Sequence, residues 1–482
     1  MGERNGSPAT SRSAQGWVLA LASVASFMLA LDALVVATSL TAIRLDLGAT
    51  IEGLGWAANA YNVSFAVLLM TGAALGDRFG RRRMYVAGLV LFAMASAACA
   101  LSPDIGWLIT ARAVQGVGAA VVAPLALTLL STAFPPERRG QALGIVAGLA
   151  GLATFSGPFV GGAIAEGLAW QWIFWLNVPI GLFAALLAHR RIGESVGPNR
   201  SLDLGGLTLV TAGVLGVVWG LARGHVAGWG SLEVVTSLVA GVLLLTAFGA
   251  WERHAPAPML PLRFFRSSAF TAGNVANFCL WGSLYGFLFL TAQYLQTALG
   301  HGPLGAGLRL MACTSALILV APLAGALADR FGERRFMVGG LLLQATGMAW
   351  LALIADADLA FSLMVLPLVV GGIGVSIGIP TAQRAVVGAV TAPEIGQASG
   401  VVTTLRVLGG AFGIATLTAV FAGTGSLDSP AAFADGFAPA IGVAAMLALV
   451  GAIAALWLPG RTPGAPPLRA APITEHATGV TA

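Results

Sequence analysis

Two ionisable side chains stand inside long apolar stretches of the sequence, and they are the strongest candidates for chemistry. Asp32 follows Trp17 by about fifteen residues in the stretch 17–40, and Arg112 lies in the stretch 106–130. Burial away from water favours the neutral form of an aspartate, so such a group can take up a proton and release it elsewhere. We interpret Asp32 as a proton carrier; an aspartate that stays neutral or pairs with an arginine is the alternative. Arg112 is expected to face a partner, because an unpaired arginine at membrane depth costs about 3 kcal/mol or more.

The segment Gly374-Val-Ser376-Ile-Gly378 fits the G-x-S-x-G pattern of serine hydrolases, so an enzymatic activity has to be considered. A nucleophilic serine inside a membrane needs a base, such as a histidine on a neighbouring helix. All five histidines are expected to lie in loops or the tail, at positions 189, 225, 254, 301 and 476. We therefore expect small residues for helix packing at this segment, and no enzyme.

Arginine supplies all of the basic charge, because the total of Lys and Arg is 25 and the chain contains no lysine. A P-loop needs a lysine on the phosphates of ATP, and Schiff-base chemistry needs a lysine amine. The chain is therefore expected to hold no nucleotide, metal or other cofactor. Its energy source would be a proton gradient.

The composition places these residues in a membrane protein. Of 482 residues, 57% are hydrophobic and 9% charged, whereas soluble domains carry about 25% charged residues. Because a membrane helix needs about 20 apolar residues, the chain has room for many spans and little else. The stretches of spanning length are fourteen: 17–40, 54–75, 84–101, 106–130, 141–165, 171–188, 204–222, 233–250, 269–294, 304–328, 336–354, 361–385, 398–422 and 436–458.

The loops between these spans predict the orientation. When the loops are assigned alternately to the two sides, twenty arginines fall on the N-terminal side and three on the other. Loops rich in arginine stay in the cytoplasm, so both termini are predicted to be cytoplasmic, in a cell inner (cytoplasmic) membrane. This placement explains the net charge of +5 without nucleic acid as a partner.

The two halves of the chain repeat each other. The loop 77–83 returns 252 residues later as the loop 329–335, and the stretch 136–144 returns as 393–400. Parallel repeats of this kind place a substrate site between them, near the middle of the membrane. The predicted parts are a tail (1–16), a six-helix bundle (17–188), a linker with two extra helices (189–268), a second six-helix bundle (269–458) and a tail (459–482).

The repeated loops resemble those of the major facilitator superfamily, and more narrowly its fourteen-span drug:proton antiporters of the QacA/EmrB type. The resemblance covers about residues 17–458. It implies an all-α polytopic membrane protein with two pseudo-symmetric six-helix bundles plus an inserted helix pair. Ala73 stands where the family has a glycine, so the helix contact there is expected to differ. The family's gating motif, which implies a cytoplasmic latch, is matched at Asp77, Arg78, Gly80, Arg81, Asp329, Arg330 and Gly332. A basic loop that only sets orientation is the alternative.

Two further motifs resemble those of the family. The segment of span 4 around Arg112 is similar to the motif whose arginine is tied to proton transfer. It implies that Arg112 shifts the proton affinity of Asp32 or competes for its proton. The segment of span 5 is similar to the motif associated with antiporters, although Ala153 replaces one glycine; a helix that only packs is the alternative. Its matching residues are Gly144, Gly157, Pro158, Gly161 and Gly162.

A tryptophan-rich segment at residues 170–181 also resembles the fourteen-span branch, and we interpret it as an aromatic belt at the outer interface. Other polar and aromatic side chains are expected to line a substrate cavity, with helix–helix contact as the alternative for each. They are Asn59, Tyr61, Asn62, Gln115, Asn274, Asn277, Trp281, Tyr285, Gln293, Gln383 and Arg406.

Residues and resemblance together predict a proton-coupled antiporter that exports hydrophobic drugs, antibiotics or small natural products by alternating access. The alternative is a proton symporter or importer of a small metabolite within the same superfamily. The expected partners are protons, membrane lipid and a hydrophobic or cationic small molecule, and the protein is expected to act as a monomer.

Overall fold

In the computed structural model, helices account for nearly all of the chain that the structure describes. The described residues are 12–196, 203–255, 258, 260, 262–316, 320, 323–324, 332–390 and 394–459. The helices are, in chain order, α1 (Arg12–Leu47), α2 (Ile51–Phe79), α3 (Arg81–Ala100), α4 (Ile105–Ala133), α5 (Pro136–Gly167), α6 (Trp172–Arg191), α7 (Leu204–Ala227), α8 (Leu232–Glu252), α9 (Ser268–Gln293), α10 (Pro303–Thr314), α11 (Glu333–Ile354), α12 (Phe361–Val387), α13 (Ile395–Thr424) and α14 (Pro430–Ala455).

The fourteen described helices agree in number with the fourteen spans that the sequence predicts. Thirteen of them are long and apolar enough to cross a membrane, and α10 has 12 described residues. A π-helical turn, Tyr294–Ala298, continues α9, and a 3-10 segment, Leu262–Arg266, precedes it. The described residues contain no strand. The predicted all-α polytopic fold with fourteen helices is confirmed.

Polar caps and turns set the helix ends. Because the caps lie outside the apolar stretches, most helices are longer than the apolar stretches within them. The Thr50 hydroxyl accepts a hydrogen bond from the Gly53 N–H at the start of α2 (3.1 Å). The Asp104 carboxylate does the same for the Trp107 N–H at the start of α4 (2.8 Å). Such caps satisfy N–H groups that have no partner within the helix. Gly80 joins α2 to α3 with a φ of +105°, a conformation that favours glycine.

The helices pack as two groups that follow the repeat in the sequence. In the first half, α1 packs on α5, α2 on α4, and α3 on α4 and α6. In the second half, α9 packs on α13 and α14, and α11 on α12 and α14. The two groups meet mainly through α2 with α13 and α5 with α10, while α7 and α8 form a hairpin that contacts α2 and α13 through α7. A space between the groups is therefore walled by helices from both halves.

The serine of the G-x-S-x-G segment has a structural role in α12. Its hydroxyl is buried and donates a hydrogen bond to the Gly372 carbonyl one turn earlier (2.6 Å). A side chain at Gly374 would collide with Gln344 of α11, so the small residue permits close helix contact. Helices extend past two apolar stretches, so position 189 lies in the last turn of α6 and position 225 within α7. The expectation that every histidine lies in a loop or tail is wrong for these two.

Candidate functional site

A buried ion pair joins the two residues that the sequence singled out. Arg112 Nη1 of α4 lies 2.6 Å from Asp32 Oδ2 of α1, and both residues are at most 3% exposed. An ion pair at this depth is stable only when hydrogen bonds satisfy its remaining polar atoms. The structure thus brings Asp32 and Arg112 into direct contact, and the role of Asp32 as a proton carrier stays a prediction.

Three amide and carbonyl groups complete the surroundings of the pair. Asp32 Oδ1 accepts hydrogen bonds from Gln115 Nε2 (2.9 Å) and Asn177 Nδ2 (2.7 Å). The side-chain oxygen of Gln115, Oε1, accepts a hydrogen bond from Arg112 Nη1 (2.7 Å). Arg112 Nε donates to the backbone carbonyl of Ala57 (3.2 Å). Gln115 Nε2 also donates to the Ser96 hydroxyl (2.8 Å). We call Asp32, Arg112, Gln115 and Asn177 the carboxylate cluster.

Asn177 was not identified from the sequence as a hydrogen-bond partner of Asp32. The tryptophan-rich segment that contains it was interpreted as an interfacial belt, and Trp172 is indeed 52% exposed there. However, a short helical turn, Trp172–Trp175, precedes a second helical segment that starts at Asn177, and this places the asparagine side chain on Asp32. The available signal was an asparagine inside an apolar span, because such a residue needs a hydrogen-bond partner.

Aromatic rings cover the guanidinium of Arg112. Its central carbon lies 4.4 Å from the ring centroid of Tyr61 in α2 and 5.7 Å from that of Phe174 in α6. Desolvated contacts of this kind attract a cation by about 2 kcal/mol. Tyr61 thus belongs to the wall around the ion pair, and its buried hydroxyl has no hydrogen-bond partner among the described residues.

A cavity between the two helix groups reaches the ion pair. Arg112 and Asn62 from the first half and Tyr285, Phe289 and Ile414 from the second are among its lining residues, and its volume of about 30 Å³ makes it a small space. The other lining residues are mostly apolar side chains of α1. This is the site expected for a transporter built from parallel repeats.

Arg406 of α13 stands near this cavity without an ion-pair partner among the described residues. Its guanidinium lies 5.3 Å from the ring centroid of Trp281, which in turn packs 5.3 Å from Tyr285 of the cavity wall. Its Nε atom is buried without a hydrogen-bond partner, and none of the ion pairs of the described residues includes it. Arg406 thus presents free donor groups, unlike Arg112.

Other residues predicted for the cavity are used elsewhere. Asn274 and Gln293 donate hydrogen bonds to carbonyl groups of their own helix α9, at Phe270 (2.9 Å) and Phe289 (3.3 Å). Asn277 donates to the Val402 carbonyl of α13 (3.0 Å), so it joins two helices. Gln383 is exposed near the end of α12, and Asn59 is 2% exposed with an unpartnered amide oxygen.

The predicted gating motif forms a compact turn at the C-terminal end of α2. Asp77 Oδ1 lies 2.8 Å from Arg81 Nη2, and the Arg78 guanidinium lies 5.2 Å from the Phe79 ring centroid. Gly332, at the start of α11, has a φ of +93° that matches Gly80 in the first copy. Two predicted members of the second copy, at positions 329 and 330, lie outside the described residues.

Glu194, in the linker after α6, was not predicted and binds this turn. Its carboxylate accepts hydrogen bonds from the backbone N–H groups of Arg82 (3.0 Å) and Arg83 (3.3 Å). It therefore caps α3, where the helix dipole favours a negative charge. Since the two positions are 112 residues apart, no local pattern in the sequence indicates the contact.

The glycines of the predicted antiporter motif bring α5 against two helices. A Cβ atom at Gly157 would lie 2.8 Å from Leu34 Cβ, and one at Gly161 would meet Val35 and Thr38 of α1. A Cβ atom at Gly162 would collide with the Pro303 carbonyl of α10 and lie 2.8 Å from Leu304 Cα. The Pro158 carbonyl likewise abuts Gly307 of α10. The motif therefore holds the Asp32 helix and joins the two halves.

The contact that α5 makes with the second half is concentrated at the end of α5 that the arginine pattern assigns to the outside. There the Glu166 carboxylate accepts a hydrogen bond from the Leu304 N–H (2.9 Å), and Gln296 Nε2 donates to the Thr38 carbonyl (3.0 Å). At the other end of α5, no described residue lies within 4 Å of a Cβ placed at Gly144 or Gly148. Through these contacts α5 and α10 close the gap between the two halves at this end of α5.

This geometry predicts that Gly162→Val weakens closure of the outer side. The valine side chain needs α5 and α10 to separate, and overpacking typically costs about 1–3 kcal/mol. Transport should fall by about tenfold, the equivalent of about 1.4 kcal/mol. The control is Gly249→Val on α8, where no described residue lies within 4 Å. Transport is measured at matched abundance of each variant in the membrane. An equal transport rate in Gly162→Val and Gly249→Val would contradict the interpretation.

Comparison with known proteins agrees with this architecture. The family model described as Major Facilitator Superfamily matches residues 22–414 and 273–476. The tetracenomycin C resistance and export protein of Streptomyces glaucescens is 34% identical over 95% of this chain and 86% of its own. The cephamycin export protein CmcT of Amycolatopsis lactamdurans is 34% identical over 93% of each chain.

Solved structures show the same fold at low identity. A POT family transporter in complex with 5-aminolevulinic acid has a TM-score of 0.69 at 16% identity, covering 92% of this chain and 96% of its own. A partially occluded, inward-open structure of the xylose transporter XylE from E. coli has a TM-score of 0.59 at 15% identity, covering 90% and 97%. The similarity extends over the whole described bundle.

Proposed function

The chain belongs to the major facilitator superfamily, and we propose that it exports antibiotic-like small molecules in exchange for protons. The single observation that carries this proposal is the buried Asp32–Arg112 pair, which stands beside a cavity between the two halves. Ionisable groups inside a membrane span are typical of proton and substrate pathways. The protein is a multi-pass membrane transporter, and we place both termini in the cytoplasm with a single chain as the working unit.

Export is supported by the relatives that span most of the chain. The proteins similar over at least four fifths of its length include those named for tetracenomycin C export, cephamycin export and puromycin resistance. These substrates differ from one another, so the relatives indicate the class of cargo and leave its identity open. We infer a compound of the antibiotic class that enters the cavity from the cytoplasm or the inner leaflet.

Proton coupling is supported by the chemistry of Asp32. A carboxyl group that is shielded from water and held by Arg112 can exist as an ionised partner or as a neutral acid. One proton that moves through 100 mV supplies about 2.3 kcal/mol, which supports a concentration ratio of about fifty for a neutral cargo. No nucleotide is required in this scheme.

Arg406 is our candidate for cargo recognition, and Arg406→Gln tests it. Hydrogen bonds from a charged donor contribute about 1.5–3 kcal/mol, so its loss should weaken the apparent affinity for cargo by about tenfold or more. The effect should be confined to cargo with acceptor oxygens. Arg406→Lys keeps the charge and loses the planar donor geometry. Its apparent affinity for cargo should therefore lie between those of the wild type and Arg406→Gln. Unchanged affinity for every compound in a chemically varied panel would remove Arg406 from the site.

The direction of transport is the decisive test of the proposed function. Everted membrane vesicles that express the protein should accumulate cargo when their lumen is acidified, and an uncoupler should abolish this uptake. A proton symporter of the same superfamily would instead accumulate its substrate in right-side-out vesicles with an acidic exterior. Accumulation in that orientation would show that the importer alternative is correct.

A further inference from the structure

We propose that Asn177 is a positioning residue that lets Asp32 exist in both of its protonation states by rotating its side-chain amide. The inference rests on the proposed function and deepens it, since it concerns how the proton is bound and released. The amide contacts Asp32 Oδ1 at 2.7 Å and makes no other hydrogen bond among the described residues. No second hydrogen bond among the described residues therefore opposes a half-turn of this amide.

Arg112 fixes the polarity of its neighbours in the carboxylate cluster. A guanidinium has only donor groups, so the side-chain atom of Gln115 that lies 2.7 Å from it must be the amide oxygen. Gln115 Nε2 then points at Asp32 Oδ1, at 2.9 Å, and at Ser96 Oγ, at 2.8 Å. Both ends of the Gln115 amide are thus engaged, and turning it would break three contacts.

Each oxygen of Asp32 consequently faces hydrogen-bond donors. Oδ2 faces Arg112 Nη1, and Oδ1 faces the amide groups of Gln115 and Asn177. A proton on Oδ1 would point at a donor hydrogen, and a proton on the second lone pair of Oδ2 would find no acceptor among the described contacts, so this arrangement suits ionised Asp32. Protonation requires that one partner becomes an acceptor. Arg112 lacks an acceptor atom and Gln115 is held at both ends, whereas Asn177 can present its amide oxygen after a half-turn about its last torsion.

The backbone around Asn177 suits this role. The helical turn Trp172–Trp175 ends just before it, and the segment Asn177–Arg191 begins with it. The side chain therefore sits at a junction between two helical segments of α6, while the rest of the cluster comes from α1 and α4. A shift of α6 relative to α1 would remove a donor from Asp32 and so favour uptake of a proton. Proton affinity is thereby linked to the conformation of the bundle.

Other titratable or charged groups around Asp32 leave this role to Asn177. Tyr61 of α2 and Cys99 of α3 interact electrostatically with Asp32, and Tyr61 does so also with Tyr285 and Arg406 across the cavity. None of these donates a hydrogen bond to the carboxylate in the described contacts. The charged residues of α5 and α6 lie toward helix ends: Arg138, Arg139, Glu166, Arg190 and Arg191. Arg309, in the middle of α10, donates a hydrogen bond to the Gly305 carbonyl of its own helix (3.0 Å).

The test is a pH titration of Asp32 in the full-length protein, reconstituted in lipid. The infrared carbonyl band of a protonated carboxyl group is followed, and Asp32→Asn identifies it because that variant lacks the band. In Asn177→Leu the ionised form loses a charge-assisted hydrogen bond, whereas the neutral form loses a weaker one. The midpoint should therefore rise by about one pH unit, a tenfold gain in proton affinity. The pH dependence of transport should move with it.

Two further variants separate this role from a structural one. Asn177→Gln keeps the amide and should stay closer to wild type than Asn177→Leu. Ser39→Ala removes a hydroxyl that contacts the Val35 and Gly161 carbonyls without reaching Asp32, so its midpoint should be unchanged. If Asn177→Leu does not fold, Asn177→Ala takes its place with the same expected shift.

The results overturn or support the inference as follows. An unchanged midpoint in a folded variant that lacks the amide, or an equal shift in Ser39→Ala, rejects the role of Asn177 and leaves proton-coupled export intact. Absence of any titrating Asp32 band in the wild type would instead reject the proposed proton coupling itself. A rise confined to the variants without the amide supports the switch.

Discussion

Replacement of Asp32 by asparagine should abolish proton-driven accumulation of cargo. The amide has the size of the carboxyl group but cannot take up or release a proton, so the gradient no longer reaches the transport cycle. At 100 mV the accumulation ratio should fall from about fifty per proton to one. Cargo binding and exchange of cargo across the membrane should persist, because the cavity wall is unchanged. Uptake by everted vesicles in an imposed pH gradient measures the effect.

Asp32→Glu is the matched control for this prediction. It retains a titratable carboxyl group at the same position, so part of the proton-driven uptake should remain. If Asp32→Asn accumulates cargo as well as the wild type at equal abundance, Asp32 is not the proton carrier. If Asp32→Glu and Asp32→Asn are equally inactive, the loss reflects packing around α1.

Removal of Arg112 should have the largest effect on stability. In Arg112→Met the Asp32 carboxylate loses its closest partner, at 2.6 Å, in a site that is 3% exposed or less. Breaking a buried ion pair from one side costs about 3–5 kcal/mol of the free energy of unfolding. Thermal unfolding in detergent should therefore occur at a markedly lower temperature, and proton-driven transport should be lost. Arg112→Lys should restore part of the stability, because its ammonium keeps the charge beside Asp32 but does not also replace the hydrogen bond from Arg112 Nε to the Ala57 carbonyl.

The double variant Asp32→Asn/Arg112→Met decides whether the pair is the cause. With both charges gone, no unpaired charge remains in the cluster, so most of the stability should return while transport stays absent. The coupling free energy between the two sites should therefore be large, since contacting residues are not additive. Simple addition of the two single effects would contradict the pairing.

The sequence predicted the parts of the site that follow from rare residue types in apolar surroundings. Asp32 and Arg112 stood out because a charged group is costly inside a membrane, and the structure brings them together. The number of helices was likewise readable, since spanning length and arginine-rich loops are strong signals. Gly157 and Gly161 were recognised from the resemblance of span 5 to the antiporter motif, and the structure places both on the face of α5 that packs against α1.

Partners that depend on the tertiary fold were not readable. Asn177 reaches Asp32 across 145 positions of sequence, and Glu194 reaches the start of α3 across 112. The roles of neutral polar residues could not be predicted for the same reason. An amide in a span donates to a carbonyl that the tertiary fold brings close, and the sequence does not show which carbonyl that is. Asn274 uses its own helix and Asn277 a neighbouring one, although both were predicted to line the cavity.

The most direct test of proton-coupled export is the proton flux that cargo itself drives in reconstituted liposomes. Cargo is added to one side without an imposed gradient, and a trapped pH indicator reports proton movement while labelled cargo is counted. The account predicts that protons move opposite to cargo in wild type, and that Asp32→Asn shows cargo movement without them. Proton flux of wild-type size in Asp32→Asn, or cargo transport by wild type with no proton movement, would contradict it.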